Sequence, residues 1–225
     1  MRPPIRLVGI AATLVLLLAS VTPAVAGTIE DYARVIRSRH AGATFSQVDG
    51  CIQTEVFVSA MDAVFGSRPG PVNKQGLVGV FYRQIDLCAE PGPKGFPVVF
   101  QADAQSLDRL VTSARFRTAS ISAVLDGTDG DGNLVQVAID LRWTASAPLV
   151  RSRVSGNAWF PADEGHGARV HTFSAGLSAP ATARGSMTVD GTHVELDATS
   201  DATLEQIRYF CQVIQHPQGG FDVDC

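Results

Sequence analysis

The chain has 225 residues and a formal net charge of −4, with 22 acidic against 18 basic residues. That balance opposes nonspecific attraction to nucleic acid or anionic lipid, so no nucleic-acid partner is expected. Only Lys74 and Lys94 are lysines, and the arginines are spread along the chain rather than clustered.

The first 26 residues read as an export signal. Arg2 and Arg6 supply the positive start, "LVGIAATLVLLLAS" an uncharged core, and Ala24 and Ala26 the small-residue cleavage pattern. The apolar run is short of the ~20 residues needed to span a bilayer, and no second run reaches that length. Cleavage before Gly27 would leave one domain, 27–225, with no transmembrane span and a net charge of about −6. Such a chain is long enough to bury a sizeable core. Its expected location is secreted, extracellular or periplasmic. There the even set Cys51, Cys88, Cys211 and Cys225 predicts two disulfides rather than metal ligands or a nucleophilic thiol.

In chain order, "IEDYARVIRS" (29–38) is the best helix candidate. Beyond it, period-two alternation dominates, with Pro, Gly, Asp and Asn between the runs. "CIQTEVFVSA" (51–60) and "GLVGVFYRQIDLC" (76–88) read as antiparallel strands. Setting Cys51 opposite Cys88 places Ile52 by Leu87, Thr54 by Ile85 and Val58 by Phe81 on one face. Gln53, Glu55, Asp86 and Gln84 then share the other face with an exposed aromatic pair, Phe57 and Tyr82. This register predicts a Cys51–Cys88 disulfide and leaves Cys211–Cys225 to tie down the C-terminal end. "FPVVFQA" follows as a further strand candidate.

"RFRTASISAVL" (115–125) and "LVQVAIDLRW" (134–143) predict a second hairpin. With Leu125 opposite Leu134, one face collects Phe116, Thr118, Val124, Val135, Val137, Ile139, Leu141 and Trp143. The segment between, Asp126 to Asn133, is then an eight-residue solvated tip. Asp126, Asp129 and Asp131 in that tip are the candidate metal ligands. An EF-hand loop starting at Asp129 fails, because Leu134 takes the glycine position and Asp140 the twelfth. A looser calcium loop of carboxylates and backbone carbonyls is the one cofactor reading these residues offer.

"SGNAWFPADEGHGAR" (155–169) is the longest irregular stretch. It holds Asp163, Glu164 and His166, with His171 just beyond, as a second acidic cluster. "ARVHTFSA" and "IRYFCQVI" are strand candidates. "MTVDGTHVEL" predicts a hairpin on an Asp190-Gly191 type I′ turn, pairing Val189 with Thr192, Met187 with Val194 and Arg184 with Asp197. His193 falls on its polar face, opposite Thr188.

Catalytic signatures are missing from the sequence. There is no G-x-S-x-G elbow and no S-x-x-K, and adjacent Asp163 and Glu164 do not by themselves make a glycosidase carboxylate pair. Phe57, Tyr82, Trp159 and Phe160 are the candidate binding residues, as an aromatic platform for a sugar or partner protein.

"DGCIQTEVFV" followed by "QIDLC", and later "VAIDLRWTASA" with "ARGSMTV", resembles a set of uncharacterised exported bacterial β-rich proteins. The resemblance runs over most of the mature chain and carries no catalytic or binding residue with it. The expected fold is an all-β, antiparallel β-sandwich built from hairpins, with an up-and-down β-barrel as the alternative. The expected function is that of a non-catalytic extracellular module for a surface glycan or partner protein. Two alternatives are a secreted polysaccharide hydrolase with its site in 155–169 and a barrel carrying a small apolar ligand.

Overall fold

The computed structural model describes residues 31–68, 72–93, 95–160 and 168–215. The signal-like segment lies outside them. The described chain is all-β, as expected, and every ladder between its strands is antiparallel. The strands are β1 (Asp31–Asp49), β2 (Ile52–Arg68), β3 (Val72–Asp86), β4 (Val98–Ser106), β5 (Val111–Thr112), β6 (Thr118–Asp129), β7 (Leu134–Ala145), β8 (Val150–Phe160), β9 (Ala168–Val189) and β10 (Thr192–Gln215).

They pair in the order β10-β1-β2-β3-β4-β6-β7-β9-β8, and β10 also pairs with β9. The path through β1, β2, β3, β4, β6, β7, β9 and β10 therefore returns to its start. Besides β10, β9 pairs in turn with two further strands: Ala181–Val189 with β7, and Ala168–Ser178 with β8. A single apolar core lies inside this circuit, with Trp143, Tyr82, Phe116, Leu125 and Leu141 among its largest fully buried side chains. Trp143 Nε1 donates to Gly42 O at 3.1 Å, which ties β7 to β1 through the core. This bond leaves no stranded indole N–H.

Strand β7 follows the sequence reading throughout, with Val135, Val137, Ile139, Leu141, Trp143 and Ala145 buried and the residues between them exposed. The hairpin at Asp190-Gly191 is also as expected. Val189 faces Thr192, Met187 faces Val194, and both turn residues have positive φ, 46° and 80°. The runs "FPVVFQA", "ARVHTFSA" and "IRYFCQVI" contribute to β4, β9 and β10.

Three expectations are corrected. The proposed helix at 29–38 is strand from Asp31 onward. An isolated ten-residue helix is marginal in water, and here β10 and β2 supply pairing partners on both sides of β1.

The first hairpin has slipped by one residue: Ile52 stands opposite Asp86, Thr54 opposite Gln84, and Val58 opposite Val80. The Cys51–Cys88 disulfide does form, with Cα atoms 5.3 Å apart. It joins the β1–β2 turn to the bend after β3 rather than two ladder positions. Asp86 Oδ1 accepts the backbone N–H groups of Cys88 and Ala89 at 2.9 and 3.2 Å, which bends the chain off the ladder before Cys88. A one-residue slip exchanges faces. Tyr82 accordingly enters the core opposite Val56, 2% exposed, while Phe57 meets Phe81 on the other side.

The second hairpin pairs Leu125 with Val137, a shift of three. Ala119, Ile121 and Leu125 of β6 therefore face the core, and Val124 is 56% exposed. Phe116 is still buried, because it reaches the core from the bend before β6 with a φ of 50°. The ladder runs on to Thr128 and Leu134, so the solvated tip is shorter than expected. The stretch 155–169 is strand at Ser155–Phe160 and from Ala168, and residues 161–167 lie outside the description. Cys211 is buried and disulfide-bonded; Cys225, its expected partner, also lies outside the description.

Candidate anion-binding face

Opposed residues on antiparallel strands point to the same side of a sheet. The register therefore shows what each row across the sheet presents. Ala60, Ala41, Leu204 and Ala179 form one such row and are all buried. Beyond it, β3, β2, β1, β10, β9 and β8 continue past the core as an extension of the same face.

The next row reads Gly76, Asp62, Arg39, Gln206, Leu177, Arg151. The row after that reads Lys74, Val64, Arg37, Arg208, Ala175, Arg153. Phe210 and Phe173 stand opposite each other in the third. The face thus changes within two rows from apolar core to a belt of six cations. Neighbouring strands lie ~4.8 Å apart, so the row from Lys74 to Arg153 spans about 24 Å.

Lys74, Arg37, Arg208, Arg151 and Arg153 are exposed, and none forms a salt bridge with a described residue. The Arg153 guanidinium lies 4.8 Å from the centroid of the Phe173 ring, a cation–π contact that places both side chains on this face. Asp62 is the one carboxylate in these rows. Arg109 already engages it, with Nε and Nη2 at 2.9 and 2.7 Å from Oδ1.

The segment 107–117 reaches both the core and the belt. Leu110 and Phe116 of that segment are buried, and the Arg39 guanidinium lies 5.9 Å from the Phe116 ring centroid. Arg39 Nη1 also donates to Thr112 Oγ1 at 2.5 Å. Gly76 admits the segment: a Cβ there would collide with Asp108 O and lie 2.8 Å from Arg109 Cα.

Another pair of opposed arginines, Arg142 and Arg184 on β7 and β9, differs in its surroundings. There Arg184 Nε is 3.3 Å from Asp197 Oδ1, so a carboxylate offsets the like charge. Arg37 and Arg208 have no such partner among the described residues.

Of the four residues of the expected aromatic platform, one is withdrawn from the surface. Tyr82 is in the core. Phe57 is half-buried on β2, and Trp159 and Phe160 end β8, with β9, β10 and β1 between them in the sheet order. Asp163, Glu164 and His166 lie outside the described residues. His171 Nδ1 is 2.7 Å from Asn157 Oδ1, and His193 Nε2 is 3.0 Å from Glu195 Oε1.

In the acidic tip, Asp129 is committed to the turn. Its Oδ1 accepts the backbone N–H groups of Asp131 and Asn133 at 2.9 and 2.8 Å, and its Oδ2 accepts Asn133 Nδ2 at 2.8 Å. Those bonds, the Asn133 side chain foremost, hold the carboxyl below its ordinary pKa of 3.8. The carboxylate oxygens of Asp126, Asp129 and Asp131 do not all lie within 4.8 Å of one another. Among the described residues, the group with ligand atoms within 4.8 Å of one another is Cys51, Asp86 and Cys88. Its sulfurs are joined, and its carboxylate caps the turn.

On the reverse of the extension, Ser152, Gly176, Ser178, Glu205 and Ile207 line a shallow depression of about 180 Å³. His40 also lies on that side, Nε2 2.9 Å from Ser59 Oγ. Burial pushes its pKa below the ordinary 6.5, with the charge of Glu205 opposing the shift. No helix among the described residues is long and apolar enough to cross a membrane.

The sequence reading missed the belt, although a signal was present. "RSR" occurs at 37–39 and again at 151–153. In a strand, residues i and i+2 share a face, whereas in a helix they diverge. Comparison with protein-family models, with curated proteins and with solved structures found no match.

Proposed function

We propose that the protein is an exported, non-catalytic binding module that takes a surface glycan or partner protein on the extension of its sheet. One observation carries this reading: four exposed cations stand in a row that crosses six strands, without a described carboxylate to neutralise them. Like charges placed directly opposite each other destabilise a sheet. A fold that keeps Arg37 against Arg208 gains from the arrangement when a ligand supplies the missing negative charge. The signal-like start and the Cys51–Cys88 disulfide support an oxidising, extracytoplasmic setting.

The reading is tested by screening the purified full chain against arrays of surface polysaccharides and extracellular proteins, while assaying the polysaccharides for new reducing ends. Saturable binding without cleavage is expected. Release of oligosaccharide products would contradict a non-catalytic role and favour the hydrolase alternative.

A further inference from the structure

We infer that the ligand is a polyanionic glycan, a sugar chain bearing repeated carboxylate, sulfate or phosphate groups, lying across the strands along Lys74, Arg37, Arg208 and Arg153. This inference rests on the reading of the extension as a binding surface and names what it binds. Three features of the belt set the ligand's chemistry.

The first is the donor type. Three of the four cations are arginines, whose planar guanidinium groups bind carboxylate, sulfate or phosphate through paired N–H donors. The directly opposed Arg37 and Arg208 offer two such forks to one anionic group. The second is extent. A single small anion would satisfy that pair, but the row continues two strands further on each side, to Lys74 and to Arg153. A ligand that uses the whole row carries several anionic groups over about 24 Å.

The third is direction. An acidic peptide joining the sheet would run along the free edge of β8, where main-chain groups could pair with it. The cations instead run across the strands, so recognition comes from side chains and the ligand brings no strand of its own. Phe210 and Phe173, half-buried in the adjacent row, provide an apolar surface against which a sugar ring can rest. The acidic balance of the chain as a whole disfavours nonspecific nucleic-acid binding.

The test is biolayer interferometry of the full chain against immobilised heparin, polygalacturonate, polyglycerol phosphate, dextran, polyglutamate and oligothymidylate. The variants are R37Q/R208Q, the charge-preserving R37K/R208K, and R142Q/R184Q as a control pair away from the belt. Melting curves establish that each variant is folded. Heparin or polygalacturonate is expected to bind, which distinguishes a sulfated from a carboxylated sugar chain; binding of polyglycerol phosphate alone, which carries no sugar ring, would overturn the glycan assignment.

R37Q/R208Q should weaken that binding by at least about tenfold, reflecting two lost charge-assisted contacts. R37K/R208K should retain an intermediate affinity, and R142Q/R184Q should match the wild type within about twofold. Dextran binding that ignores every substitution would overturn this inference while leaving a glycan-binding module in place. Binding of polyglutamate or oligothymidylate alone would overturn the glycan assignment. Polyanion binding that R37Q/R208Q leaves unchanged would overturn the assignment of the site. Binding to none of the probes overturns the inference, and failure of the wider protein and glycan screen as well would overturn the binding-module reading beneath it.

Discussion

Arg37 on β1 and Arg208 on β10 face each other directly across an antiparallel ladder, and neither forms a salt bridge with a described residue. Opposed Cβ atoms in such a pair lie ~4.5–5.5 Å apart, and like charges at that separation cost a few tenths to about 1 kcal/mol. Removing one charge should therefore stabilise the unliganded protein. For R208Q, calorimetry at low salt should show a melting temperature raised by about 1–4 °C. The gain should disappear in 1 M salt, where screening shortens the reach of the repulsion to about 3 Å. A lowered melting temperature would mean that Arg208 has a stabilising partner.

His40 makes stability depend on pH. Its imidazole is half-buried beside Ser59, and desolvation holds the folded-state pKa below 6.5. The unfolded chain therefore takes up a proton at a higher pH than the folded chain. The stabilisation is fully present above the unfolded value and is lost as pH falls through 6.5 toward the folded pKa. Urea midpoints should decrease between pH 7.5 and 5.5. H40Q, which keeps a polar group near Ser59 without a titrating ring, should flatten that decrease. An unchanged slope in H40Q would assign the pH dependence to other groups.

Gly76 should tolerate no side chain. An alanine Cβ there meets the backbone of Asp108 and Arg109 rather than the flexible end of a side chain. G76A should cost about 1–3 kcal/mol, the usual range for overpacking. It should also speed hydrogen exchange in residues 107–117, because displacing them loosens the Arg109–Asp62 contact and the seat of Phe116. Exchange matching the wild type in that segment would show that the close approach is relieved at no cost.

The disulfide closes a loop with a sequence separation of 37. A loop of that length restricts the unfolded chain by about 4 kcal/mol in the chain-entropy account. C51S/C88S should lose about 2–4 kcal/mol in urea denaturation, toward the lower end if the unfolded state keeps residual structure. Non-reducing peptide mapping should recover Cys51 linked to Cys88. A Cys51–Cys211 link would contradict both the pairing and the hairpin built on it.

How much of this was legible in the sequence varied with the kind of constraint. The alternation of β7 and the Asp190-Gly191 turn are local and were read correctly, because each residue's neighbours dictate its state. The register of the first two hairpins was not. It depends on where side chains end the ladder: Asp86 bends the chain away before Cys88. Asp129 grips the N–H groups of Asp131 and Asn133, which tightens the second turn. Neither bond is visible as periodicity, and odd slips of one and three residues exchanged the faces of Tyr82, Ile121 and Val124. The cation belt was hidden for a related reason. Arg37, Arg208 and Arg153 are far apart in sequence and become neighbours only through the ladders β1–β10, β10–β9 and β9–β8.

The salt dependence of polyanion affinity tests the central claim most directly. A linear polyanion contacted by four cations should release counterions on binding, giving a log–log slope of roughly −3 to −4. Titration calorimetry with the best-binding anionic glycan should then show affinity falling on the order of 100-fold between 50 and 200 mM salt. R37Q/R208Q should make the slope shallower by about two. A slope near zero, or one that R37Q/R208Q leaves unchanged, would contradict the assignment of the belt as the binding site.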